Sequence, residues 1–84
     1  MPFELSELLP RLVSFTPSQP ILIEARNISA PGKASLWHLG AEVARVQYDG
    51  KGEISFPPMP VGGYGVELEN TQNSYFTAVE VSKN

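Results

Sequence analysis

Cysteine is absent from this chain of 84 residues. No disulfide or thiolate metal site can form, so a hydrophobic core between strands has to supply most of the stability. The chain makes one domain, near the lower size at which a single core suffices. Only one histidine is present, which leaves carboxylates to complete any metal shell, and no cofactor is expected. Basic residues are also scarce. Six Lys and Arg stand against nine Asp and Glu, a formal net charge of -3, the wrong sign for a nucleic-acid surface. No apolar run approaches the roughly 20 residues of a membrane span, and no basic start with an apolar core marks a signal peptide. With Met1 as the native start the chain is expected to be cytoplasmic; as a module excised from an exported enzyme it is secreted.

What the chain has in abundance is turn formers. Eight prolines and seven glycines favour many brief strands over long helices. The stretch around which the rest is organised runs from Phe56 through Pro57, Pro58 and Pro60 to Gly62, Gly63 and Tyr64, then on to Glu69. Tyr64, Val66 and Leu68 fall on one face and Gly65, Glu67 and Glu69 on the other, the period of a half-buried antiparallel strand. A tyrosine opening such a strand, with Gly63 before it, has the layout of the tyrosine corner of immunoglobulin-like sandwiches, which gives Tyr64 and Gly63 structural roles.

Residues 1–10 are read as an N-terminal segment in which Leu5, Leu8 and Leu9 have helix-compatible spacing between two prolines. The sandwich occupies residues 11–84. Its strands are expected at Arg11 to Phe15, Ile21 to Ile28, Lys33 to Leu39, Glu42 to Tyr48, Glu53 to Phe56, Tyr64 to Glu69 and Tyr75 to Val81. Ile21, Ile23 and Ala25 point inward. Gly40-Ala41 is expected to close a two-residue hairpin, and Asp49-Gly50 is the strongest local hairpin signal. Seven short strands at this spacing predict an all-β sandwich, immunoglobulin-like or fibronectin type III-like. The first, second and fifth strands form one sheet and the third, fourth, sixth and seventh the other, with the fourth-to-fifth connection crossing between them.

Candidate sites each compete with a plainer role. Glu67 and Glu69 project from one face about 7 Å apart on a rise of roughly 3.4 Å per residue, near the spacing of inverting glycosidases. A catalytic pair needs a cleft and divergent surroundings, so a solvated strand face is favoured. His38 and Asp49 would be the sole members of any Ser-His-Asp arrangement, and His38 reads more simply as a surface residue. An exposed Trp37 with Tyr48 or Tyr75 would make a carbohydrate platform, because aromatic rings stack on sugar faces. Core placement of Trp37 on the third strand is favoured instead, since burying it contributes several kcal/mol. Asn27-Ile28-Ser29 fits the N-glycosylation pattern, which has meaning only on a secretory route.

Four stretches taken together carry a family resemblance: Ser14 to Asn27, Leu36 to Gly40, Gly62 to Leu68 and Phe76 to Ser82. They resemble the N-terminal immunoglobulin-like domain that precedes the catalytic barrel in bacterial dextranases and cycloisomaltooligosaccharide glucanotransferases. Phe15 and Pro17 match that family's opening pattern and Thr77 to Ser82 its closing one, while Ser18 stands where the family has glycine. The resemblance implies a non-catalytic accessory module that braces the adjacent catalytic domain of a glycoside hydrolase. Its partners would be that domain and, in part, polysaccharide. Two alternatives stay open: a carbohydrate-binding module built on surface aromatics, and a protein-interaction or adhesion module pairing through a free sheet edge.

Overall fold

Alternation in the second strand sets the architecture. In the computed structural model, which describes residues 5–83, Ile21, Ile23 and Ala25 are buried while Leu22 and Glu24 between them are only half-buried. The same inward–outward rhythm recurs in the longer of the seven strands found among the described residues, which are β1 (Glu7–Pro10), β2 (Ile21–Arg26), β3 (Gly32–His38), β4 (Ala41–Tyr48), β5 (Glu53–Phe56), β6 (Gly62–Asn70) and β7 (Ser74–Val81). They form two antiparallel sheets, a three-stranded one in the order β1-β2-β5 and a four-stranded one in the order β4-β3-β6-β7. The chain is therefore an all-β sandwich, with the sheets grouped as expected and the β4-to-β5 connection crossing between them.

The core lies where the inner faces meet. Ile21 opposite Phe56 and Ile23 opposite Ile54 come from one sheet. Ala34 opposite Leu68 and Leu36 opposite Val66 come from the other. Phe15, Tyr48 and Phe56 are the largest side chains enclosed. Burying each stabilises the fold by roughly 1.5–3 kcal/mol.

Three local expectations need correction. The first strand is Glu7–Pro10, not Arg11 to Phe15 and not a helix; the part of the expected helix that falls on residues 1–4 lies outside the described residues. Leu8 alone of Leu5, Leu8 and Leu9 is buried, opposite Ala25. So short a piece gains more from laddering onto β2 than from a helical turn, whose nucleation is unfavourable. Second, residues 11–15 change sheets. Arg11 N–H still donates to the Leu22 carbonyl, but Phe15 N–H donates to Glu80 and Ser82 N–H to Phe15, at 2.9, 2.9 and 2.7 Å. Phe15 thereby makes a parallel bridge with Val81, closing one side of the sandwich.

Third, the β3–β4 hairpin turns one residue early. His38 pairs with Ala41, so the turn residues are Leu39 and Gly40, with φ of 52° and 80°. Positive φ at both positions is the turn whose twist suits a hairpin. Asp49-Gly50 makes no hairpin. Gly50, at φ 85°, brings the backbone against the Ser29 carbonyl where a Cβ would collide, and its freedom serves the crossing between sheets.

Candidate functional site

Two tyrosines fix the crossings, and both are turned inward. Tyr64 is 5% exposed and its hydroxyl donates to the Pro60 carbonyl at 2.7 Å. This bond, running back four residues along the chain, ties the proline bend to β6. Tyr48, 2% exposed, donates to the Ile28 carbonyl and accepts from Gly52 N–H at 2.9 Å. One phenol thus joins the β2–β3 and β4–β5 crossings. Burial, first of all, pushes the Tyr48 pKa up; the Gly52 hydrogen bond opposes this and the Asp49 charge adds to it.

These placements redistribute the expected sugar platform. Trp37, Tyr48 and Tyr75 do not share a face: Tyr48 is in the core and Tyr75 is half-buried against it. Trp37 is not in the core. It follows buried Leu36, so its side chain falls on the outer face of the four-stranded sheet, half-buried, beside Gly65 of β6 and Glu42 of β4. The core's aromatic filling comes from Phe15, Tyr48 and Phe56 instead.

The residue missed from sequence is Phe76. It lies outward on β7, between the inward positions Tyr75 and Thr77, and is 68% exposed. Its ring crosses Gly65: a Cβ added there would sit 2.8 Å from Phe76 Cζ and 3.9 Å from Trp37 Cβ. The legible signal was a glycine at an outward position of β6 with an aromatic on each neighbouring strand. Next along this face runs a trough lined by Lys33, Ser35, Arg45, Glu67 and Glu69. Arg45 grips Glu42 through two hydrogen bonds of 2.8 Å. The paired Arg45 bonds, then the Ser35 hydroxyl, hold the Glu42 carboxyl below its ordinary pKa. A bulge between Leu36 and Trp37 lets β4 keep Glu42 on this side.

A second feature lies where the start of β6 meets the end of β7: Val13, Val61, Gly62 and Gly63 line a shallow depression together with residues 78–83. Val13 is fully exposed, at 101%, and Val61 is 54% exposed. A Cβ added at Gly63 meets nothing within 4 Å, whereas one on Gly62 would sit 2.9 Å from His38 Cε1.

The polar candidates are dispersed. His38 is half-buried, its Nδ1 at 2.9 Å from the Gly63 carbonyl and its ring stacked on Tyr64 at 4.6 Å. Asp49 accepts from Lys51 N–H at 2.9 Å, just beyond Tyr48, which pairs with Gly32 at the far end of β3 from His38. No triad is assembled from them. Glu67 and Glu69 line the same small trough with Lys33 and Arg45, which gives the two carboxylates similar rather than contrasting surroundings. Asn27, at φ 59°, donates from Nδ2 to the Leu5 carbonyl at 2.9 Å. Among the described residues, no three His, Cys, Asp or Glu side chains cluster to hold a metal ion, and no helix is long and apolar enough to cross a membrane.

Comparison with protein-family models, with curated proteins and with solved structures finds no match.

Proposed function

We propose that this chain is a non-catalytic sandwich module that packs beside another folded domain, in the setting its sequence resemblance implies, a bacterial carbohydrate-active enzyme. The observation that carries the reading is the depression between Val13 and Val61. A fully exposed valine at the apex of a sheet-switching segment and a second exposed valine line one depression with Gly62, Gly63 and Ala78, alongside the polar Glu80, Ser82 and Lys83, an apolar patch with polar neighbours of the kind that marks a packing surface. Surfaces of this kind are what interdomain packing covers. The tyrosine corner and the strand order support the immunoglobulin-like identity of the module.

Edge pairing has less support. The β4 edge carries a bulge and the last part of β7 is already bridged by Phe15, both of which discourage strand addition.

The test uses Gly63→Val, which fills the depression without disturbing the fold. In the parent polypeptide that the proposal requires, the variant module unfolds independently of its neighbour, whereas the wild-type pair unfolds together. The isolated 84-residue chain keeps its stability within about 0.5 kcal/mol. Unchanged joint unfolding in the variant, or dextran cleavage by the purified chain, refutes the proposal.

A further inference from the structure

We propose that the outer face of the four-stranded sheet around Trp37, Gly65 and Phe76 is a binding platform for a neutral hexose-based oligosaccharide. This goes beyond the packing role and uses different side chains. The first support is geometric. Gly65 has no side chain to lift the Phe76 ring, which lies across it with most of its surface in solvent, and Trp37 stands on the other side of the same glycine. The exposed Phe76 ring, beside the half-exposed Trp37, offers the C–H face of a pyranose what it stacks on.

The second support is the polar trough next to the aromatics. Lys33 and Arg45 provide donors, Glu67 and Glu69 provide acceptors, and the Ser35 hydroxyl does both. Arg45 is already paired with Glu42, so Lys33, Glu67 and Glu69 are the charges left beside Ser35, which disfavours an anion while donors and acceptors stay mixed along the trough. They suit a ligand whose every hydroxyl both donates and accepts, and a few such groups beside an apolar surface are enough to orient it. The Arg45–Glu42 clasp, closed by two hydrogen bonds next to Trp37, fixes one wall before any ligand arrives.

Size argues against a protein partner on these aromatics alone. Trp37 is already half-buried and Phe76 partly so, so covering what remains of them buries less than the roughly 300–500 Å² of two whole aromatic side chains, well short of the roughly 800 Å² per partner of a stable protein interface. It is enough for one or two sugar rings. A polynucleotide, which would also stack, is disfavoured by the net charge of -3.

The experiment is a ¹H–¹⁵N titration of the 84-residue chain with maltohexaose, cellohexaose and isomaltohexaose in turn. The expected result is saturable, millimolar-range shifts of the Trp37 indole N–H and of the Gly65, Glu67 and Phe76 amides with at least one of the three. Phe76→Ala, at a side chain the fold leaves exposed, keeps the dispersed spectrum and weakens binding about tenfold. Four outcomes overturn the proposal: no shift with any of the sugars, shifts confined to other residues, undiminished binding by Phe76→Ala, or movement of the same resonances on raising protein concentration without sugar. The last would mean that a second copy covers the face. Phe76 does not line the Val13–Val61 depression, so Phe76→Ala leaves the joint unfolding of the packing test unchanged, and failure here and failure of the packing role are separable.

Discussion

Removing one oxygen from Tyr48 should cost more than removing any other phenol oxygen in the chain. Tyr48→Phe keeps the ring in the core but strands two backbone groups. The Ile28 carbonyl loses its donor in a buried setting, and Gly52 N–H loses its acceptor in a partly buried one. An unsatisfied buried group costs about 1–3 kcal/mol, and the partly wet one should fall at or below the lower end of that range. The expected destabilisation is about 2–3 kcal/mol, which lowers Tm by roughly 10–20 °C in a domain of this size. Tyr64→Phe loses one partly buried bond, to Pro60, and is expected to cost about 1 kcal/mol. Urea melts followed by tryptophan fluorescence, with the slope m unchanged, measure both.

The pH dependence gives a second readout of the same group. Because the folded-state pKa of Tyr48 is raised, its contribution is fully present below the unfolded value near 10 and is lost as pH rises through the folded value. Wild type should therefore lose more stability than Tyr48→Phe on going from neutral to strongly alkaline pH. Equal costs for the two Tyr→Phe variants, or identical alkaline slopes for wild type and Tyr48→Phe, would refute the claim that this hydroxyl joins the two crossings.

Two further substitutions probe the turns. Leu39→Asn should stabilise the chain by about 0.5–1 kcal/mol in the same urea assay, because Leu39 is 90% exposed and held at φ 52°, a conformation asparagine adopts more readily; a loss of stability would mean that the leucine packs on something. Gly50→Ala should cost at least about 2 kcal/mol, since φ is 85° and the new Cβ meets the Ser29 carbonyl. A thermal melt indistinguishable from wild type would show that the crossing relaxes freely.

The fold was legible wherever a strand was long enough to carry a period. In β6, Tyr64, Val66 and Leu68 alternate with glycine and glutamate, and all three are buried. β1 has only four residues, too few to separate a two-residue period from a helical one, and its identity is set by pairing with β2. Trp37 and Leu36 are adjacent, so only one could enter the core. Leu36 continues the inward series with Ala34, and side-chain size misled where parity decided. Leu39 at a positive φ contradicts local preference, so the turn was expected one residue later. At the candidate site, the sequence singles out Trp37 but favours the core for it, whereas the structure puts it on the outer face. Phe76 escapes notice because it pairs with Glu67, and its ring reaches the Gly65 position diagonally across the β6–β7 pair.

Glycine separates what the fold needs from what the surface offers. At Gly32 an added Cβ would collide with the Glu69 backbone, and at Gly50 with that of Ser29, so there the missing side chain is the condition for two chain segments to approach. At Gly63 nothing stands within reach, and at Gly65 the nearest atoms belong to the mobile end of Phe76. The strand would be better served at both by a β-branched residue, since glycine weakens a strand interior. What their absence of side chain accomplishes is external: bare backbone in the depression that Val13 and Val61 line, and a flat bed for Phe76 beside Trp37. The two surfaces proposed for partners therefore adjoin along β6, on the outward positions where the sandwich itself makes least demand on the sequence.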